Sequence, residues 1–148
     1  MLEAEAFMRE ALLEAQADEN EVPVGAVVVR DGKIIARAHN EREQGKPFAH
    51  AEMLAMERAC RALGTRRLHG CTLYVTLEPC PMCAGALVLS EMEACVFGAY
   101  DPRQGCCGSV YALPEDPAFF HHVRCTGGVM EAACAGLLQS FFEKKRRD

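Results

Sequence analysis

The sequence predicts an α/β fold, with a sheet that is antiparallel at one edge and parallel further along, and helices packed on it. Three observations carry this. Residues 22–30 are rich in β-branched side chains and residues 33–39 resume an extended pattern, with Asp31-Gly32, a strong two-residue hairpin signal, between them. Further along, extended and helical patterns alternate, which implies parallel strands joined by right-handed crossovers. The composition, 50% hydrophobic and 25% charged over 148 residues, suits one globular domain spanning 1–148.

The elements follow in order. Residues 3–17 set Phe7, Leu12 and Ala15 among acids and alanines, an amphipathic surface helix that would cover one sheet face. After the hairpin comes a polar loop with Gly45 and Pro47. Residues 50–63 then carry apolar positions at Met53, Leu54, Met56 and Ala59 and read as a helix that Gly64 stops. Residues 71–77 alternate as a strand, a helix runs from Pro79 to about Glu91, and residues 94–99 return as a strand. A loop rich in Gly, Pro and polar residues covers 101–117, residues 123–126 add a short strand, and residues 131–146 form a last helix.

Charge and cysteine usage narrow the function classes. The net charge is −5, but the acids crowd the first helix while Lys144, Lys145, Arg146 and Arg147 close the chain. Such a basic end is more simply a solvated helix terminus that complements the helix dipole than a nucleic-acid patch. Glu3, Glu5, Glu10, Glu14, Asp18, Glu19 and Glu21 stand against Arg9 alone near the start, unlike a signal or transit peptide. No apolar run approaches membrane-spanning length. Nine cysteines without a secretory signal point to a reducing compartment, so the expected location is the cytoplasm.

Two short motifs carry the chemistry: His50-Ala51-Glu52 at the start of one helix and Pro79-Cys80-Pro81-Met82-Cys83 at the start of the next. In an open α/β sheet, helix starts gather at the carboxyl ends of the strands, where sites usually form. Zinc takes Cys and His ligands tetrahedrally, so Cys80 and Cys83 with His50 as third ligand would hold one ion and leave the fourth position for water. An open position is the mark of a catalytic site. Zinc lowers the pKa of such a water. Glu52, two residues past His50, would take its proton and hand protons on to a ring nitrogen and to departing ammonia. Taken singly, the cysteine pair could be a redox couple or half of a structural zinc site, and His50 an ordinary polar residue at a helix start. Together they favour catalysis, because a redox pair leaves His50 and Glu52 unexplained. Cys60, Cys71, Cys95, Cys125 and Cys134 read as small buried apolar residues, and Cys106 and Cys107 receive no role.

With these residues in view, the chain resembles the bacterial tRNA-specific adenosine deaminases of the cytidine/deoxycytidylate deaminase superfamily, whose zinc signature it matches. The likeness runs through Glu21-Val22-Pro23-Val24-Gly25-Ala26-Val27, His39-Asn40, Ala49-His50-Ala51-Glu52, the block from Thr72 to Cys80, and Met82-Cys83-Ala84-Gly85-Ala86. It continues in Val96-Phe97-Gly98-Ala99, Asp101, Gly105, Gly108-Ser109 and Leu137-Leu138 with Phe141-Phe142. The resemblance implies a three-layer α/β/α domain with a mixed five-stranded sheet, one zinc per subunit, and conversion of adenosine to inosine at the wobble position of an anticodon loop. It implies that Asn40 hydrogen-bonds the purine, that the backbone at Ala51 helps hold the exchanged group, that Val24 lines the pocket, and that Asp101 lies near the nucleotide sugar. Plainer readings stand beside two of these: a loop cap for Asn40 and a turn former before Pro102 for Asp101. The resemblance also makes Phe142, Lys144, Lys145, Arg146 and His122 candidate RNA contacts and a homodimer the expected assembly.

The chain departs from the family pattern at Lys46-Pro47-Phe48, where an acid or amide before Pro-Thr is usual, and at Phe120-His121-His122, where Asn-His-Arg is common. The second change replaces a fixed charge by a titratable one, which bears on RNA binding and not on deamination. Two other functions compete. One is deamination of a free base or nucleoside such as cytosine, cytidine or guanine; the other is a zinc-stabilised binding protein without catalysis.

Overall fold

The computed structural model describes residues 2–147. Helix α1 (Leu2–Ala15) leads into the hairpin β1 (Gly25–Arg30) and β2 (Lys33–His39), then α2 (Ala51–Leu63) and β3 (Cys71–Leu77). Helix α3 (Pro81–Leu89), β4 (Ala94–Ala99), β5 (Arg124–Thr126) and α4 (Glu131–Arg147) complete the chain. The five strands form one sheet in the order β2-β1-β3-β4-β5. Strand β1 is antiparallel to both β2 and β3, while β3, β4 and β5 run parallel. At the hairpin turn Asp31 and Gly32 have φ of 51° and 75°, the left-handed pair that matches the twist of the flanking strands.

Strand alternation distributes the core between two helical layers. Ala26, Val28, Leu73 and Val75 face α2 and α3 and pack on Ala55, Met56 and Leu87. Val27, Val29 and Tyr74 face the other way, where Phe7 of α1 stacks on Tyr74 with ring centroids 5.2 Å apart. Met8, Ala11 and Leu12 of α1 and Cys134 of α4 complete that second layer. The result is the three-layer α/β/α arrangement around a mixed five-stranded sheet.

Boundaries shift where local chemistry overrides periodicity. Strand β1 starts at Gly25 and not at Val22, because Pro23 has no N–H and the Val24 N–H turns back to the Val22 carbonyl at 2.8 Å. Helix α3 starts at Pro81 and not at Pro79. Cys80 is extended (φ −75°, ψ 176°) and caps the helix, with proline inside its first turn, where no amide is missed. The same helix ends at Leu89, and Glu91 beyond it has a φ of 56°.

Gly25 and Gly98 set how closely the outer helices approach. A Cβ at Gly25 would collide with the Ala11 carbonyl and Ala15 amide of the α1 backbone; one at Gly98 would collide with the Cys134 thiol of α4. Gly25→Ala is therefore expected to cost about 1–3 kcal/mol or more by forcing α1 off the sheet. Urea unfolding of the variant, followed by circular dichroism, should show a lowered midpoint with an unchanged slope.

Candidate active site

The carboxyl ends of β2 and β3 deliver two helix starts side by side. His50 is the residue before α2 and Cys80 the residue before α3; both are extended caps, and Cys83 sits in the first turn of α3. The His50 Nδ1 lies 3.6 Å from the Cys80 Sγ and 3.6 Å from the Cys83 Sγ. All three donor atoms fall within 4.8 Å of one another. Tetrahedral zinc with Zn–S about 2.3 Å and Zn–N about 2.0 Å would hold nitrogen and sulfur about 3.5 Å apart, so the donor set fits the ion without rearrangement.

Proton sharing among these groups points the same way. The thiol of Cys80 is pulled down to about 4, first because Cys83 donates to it and then because His50 does, against the opposing effect of burial. The imidazole of His50 is raised, chiefly by its hydrogen bond with Cys80. Cys83 is held protonated by its bond to Cys80 and by burial. A thiolate is thus cradled by two protons that a divalent cation would displace, and the N-terminal ends of both helices favour the negative charge.

Glu52 stands on the first turn of α2, 4% exposed, with burial raising its carboxyl to about 7. It lines the same cleft as His50 and Cys80, a cavity of about 390 Å³. A buried carboxyl near neutrality beside a metal can both accept and return a proton.

Asn40 and Val24 form the adjoining wall. The Asn40 side chain is 4% exposed, and its Oδ1 accepts the Ala51 N–H at 2.8 Å. This bond fixes the orientation of the amide. The Oδ1 is therefore turned toward the Ala51 amide, and Nδ2 is the donor presented at the other end. Asp101 lines the far side; its Oδ1 accepts the N–H groups of Arg103 at 3.0 Å and Gln104 at 3.2 Å. Phe142, 49% exposed, projects from α4 over the cleft.

Other predicted residues lie elsewhere. Lys144, Lys145 and Arg146 occupy the exposed last turn of α4, where the Lys145 ammonium sits 5.7 Å from the Phe141 ring. His122 is at the opposite end of the sheet, in a separate cleft with His69, Glu91 and Glu93 beside the start of β5. Phe48, 72% exposed, borders an apolar groove with Met53, Met56 and Ala86. Arg42, Arg103, Tyr100 and Glu78 line the catalytic cleft without having been singled out in sequence. The two arginines stand two residues beyond Asn40 and Asp101, and that spacing was the available signal. Cys106 and Cys107 are buried small residues of the adjoining loop.

Comparison with known proteins agrees with this geometry. Residues 1–99 match the cytidine and deoxycytidylate deaminase zinc-binding region. The chain is 53% identical to the tRNA-specific adenosine deaminase of Bacillus subtilis (strain 168) over 150 residues, covering 99% of this chain and 93% of that one. It superposes with a TM-score of 0.85 and 42% identity on a chain solved in studies of A-to-I editing by tRNA:A34 deaminases at the wobble position of transfer RNA, covering 90% of this chain and 99% of that one. A guanine deaminase from Nitrosomonas europaea is more distant, at 27% identity and a TM-score of 0.79, covering 93% of this chain and 83% of that one. The donor set, the buried acid beside it and these likenesses agree: the chain is a zinc-dependent deaminase and belongs to the tRNA-specific adenosine deaminase family.

Proposed function

We propose that this protein converts the wobble adenosine of a tRNA anticodon loop to inosine, releasing ammonia. The observation that carries the reading is a buried acid, Glu52, beside a three-donor metal site on the floor of a cleft rimmed by two arginines. His50, Cys80 and Cys83 would hold a zinc ion, which would supply a water of lowered pKa as the nucleophile. Glu52 would accept one proton of the attacking water and deliver it to the purine ring nitrogen, then carry the second proton of that water to the amino group, which leaves as ammonia. Asn40 donates from Nδ2 to an acceptor on the base, with the Ala51 N–H holding its other end, and Val24 closes the wall. Asp101 shapes the sugar side through the turn that carries Arg103.

An anticodon loop suits a cleft of this kind, because its bases are already unpaired and enter a pocket at little unstacking cost. Fixed charges on Arg42 and Arg103 at the rim match the phosphates flanking such a base, and Phe142 offers a face for a neighbouring base to stack on. Lys144, Lys145 and Arg146 extend the same helix toward more distant phosphates. His122, at the other end of the sheet, would meet RNA only beyond the loop. We propose further that the chain forms a single-domain subunit of a homodimer. The apolar groove bordered by Phe48 and Met53 supports this. Its location would be the cytoplasm, a reading that the nine free cysteines support.

Inosine formation on a panel of anticodon stem-loops, beside free adenosine, adenine, cytidine and guanine, tests the substrate. One stem-loop should be converted and the small molecules left unchanged. Conversion of guanine or a nucleoside instead would favour the free-base reading, which the likeness to the guanine deaminase keeps in view. Glu52→Gln should keep one zinc per chain by metal analysis while turnover drops about a thousandfold; unchanged turnover would mean that zinc only holds the fold. Asn40→Ala should lose about 1–3 kcal/mol of transition-state binding, read as kcat/KM on the stem-loop.

A further inference from the structure

Glu78 is 2% exposed and follows the last residue of β3, two residues before Cys80, and its carboxylate is engaged by the loop that follows β4. Its Oε1 accepts the Asp101 N–H at 3.0 Å and the Ser109 hydroxyl at 2.5 Å. Its Oε2 accepts the N–H groups of Cys107 at 3.1 Å and Ser109 at 2.9 Å. Four donors from one loop thus converge on one buried carboxylate, and no cation pairs with it among the described residues. Hydrogen bonds to an ionised acceptor are stronger than neutral ones, and several together offset the cost of burying the charge.

Elsewhere the loop is held by backbone bonds among its own turns, by the Cys106 N–H on the Pro79 carbonyl at 2.9 Å, and by burial of Cys106 and Cys107. Between β4 and β5 its regular pairing is a single bridge, Cys107 to Ala112, and one short 3-10 turn. The Gly105 N–H closes on the Asp101 carbonyl at 2.8 Å, and a Cβ at Gly105 would collide with the Glu78 carboxyl group, so the backbone is moulded directly on that carboxylate. The same loop carries Asp101, Arg103 and Gln104 into the cleft. Asp101 is fixed at both ends, its N–H on Glu78 and its Oδ1 under the Arg103 and Gln104 amides.

We propose that Glu78 is a positioning residue for substrate: as an anion it acts through the Asp101–Ser109 loop to set the rim that engages RNA, apart from the chemical step. The proposal rests on the RNA reading given above. Why an anion is required follows from the donors. In Glu78→Gln the amide oxygen can keep the Cys107 and Ser109 N–H groups, and the new NH2 can donate to a rotated Ser109 hydroxyl. The Asp101 N–H then faces a nitrogen with nothing to accept it. The loop is released at the end that bears Arg103.

The test compares wild type, Glu78→Gln and Glu78→Asp for zinc content, stem-loop kinetics and hydrogen exchange of the loop amides. Glu78→Gln should keep its zinc and hold kcat within about threefold, while KM for the stem-loop rises about tenfold, the equivalent of one charge-assisted hydrogen bond. Its Asp101 amide should lose protection, and Glu78→Asp, which keeps the charge, should recover part of both. Unchanged KM and unchanged Asp101 protection in Glu78→Gln would overturn the proposal. So would a parallel loss of zinc and kcat at constant KM, since Glu78 would then serve the metal loop. If Glu78→Gln fails to fold, Ser109→Ala replaces it: a KM raised about threefold at constant kcat supports the proposal, and an unchanged KM overturns it. Should wild type convert only a free base, the RNA reading fails on its own. Asp101 protection in Glu78→Gln then decides the positioning role, loss supporting it and retention overturning it.

Discussion

Two helix N-termini meeting at one end of the sheet are the constraint on which the site depends. Strands β2 and β3 run in the same direction on either side of β1, so the chain leaves both at the same end, and the helices that follow begin there. His50 and Cys80 are the capping residues of those helices and Cys83 lies one turn in, so three side chains from two distant segments reach one point without any loop having to be held in an unusual path. The unpaired N–H groups and dipoles of both helices favour the negative charge that two thiolates bring. A dication then stabilises what the helices alone only partly offset.

Buried polar groups extend that arrangement outward. Among the described residues, Glu21, Asn40, Glu52, Thr76 and Glu78 are the buried polar or charged ones, and they gather around the cleft end of the sheet. Glu21 accepts the Arg42 and Glu43 amides at 3.0 and 2.9 Å, tying down the turn that carries Arg42 to the rim. Thr76 accepts the Gly25 N–H at 3.2 Å where the first strand begins. Glu78 does for the Asp101 side what Glu21 does for the Arg42 side. The two irregular loops that frame the cleft are therefore fastened by carboxylates on the more rigid frame, whereas Glu52 faces the metal donors and burial raises its carboxyl.

The apolar layers serve this geometry by packing the sheet between helices on both faces. Glycine at 25 and 98 lets α1 and α4 approach the strands closely, which also brings Leu138 and Phe142 of α4 to the edge of the cleft. A helix otherwise peripheral to the chemistry thus contributes to the surface a substrate meets.

The order of elements, the hairpin at Asp31-Gly32, and the strands 71–77 and 94–99 were legible in the sequence because each is fixed by neighbours along the chain: period-two burial, a left-handed turn pair, a glycine stop at 64. The metal donors and Glu52 were legible for the same reason, since each motif is a few residues at a helix start. Sequence could not show which way the Asn40 amide faces, because that depends on the Ala51 amide eleven positions away being delivered to its Oδ1. Nor could it separate His122 from the catalytic end, or bring Glu78 together with Asp101, Cys107 and Ser109, which lie 23 to 31 positions further on. Local patterns decide which residues have the right chemistry. Which of their atoms remain free to act is decided only when folding satisfies the other buried donors and acceptors, and that depends on partners distant in the chain.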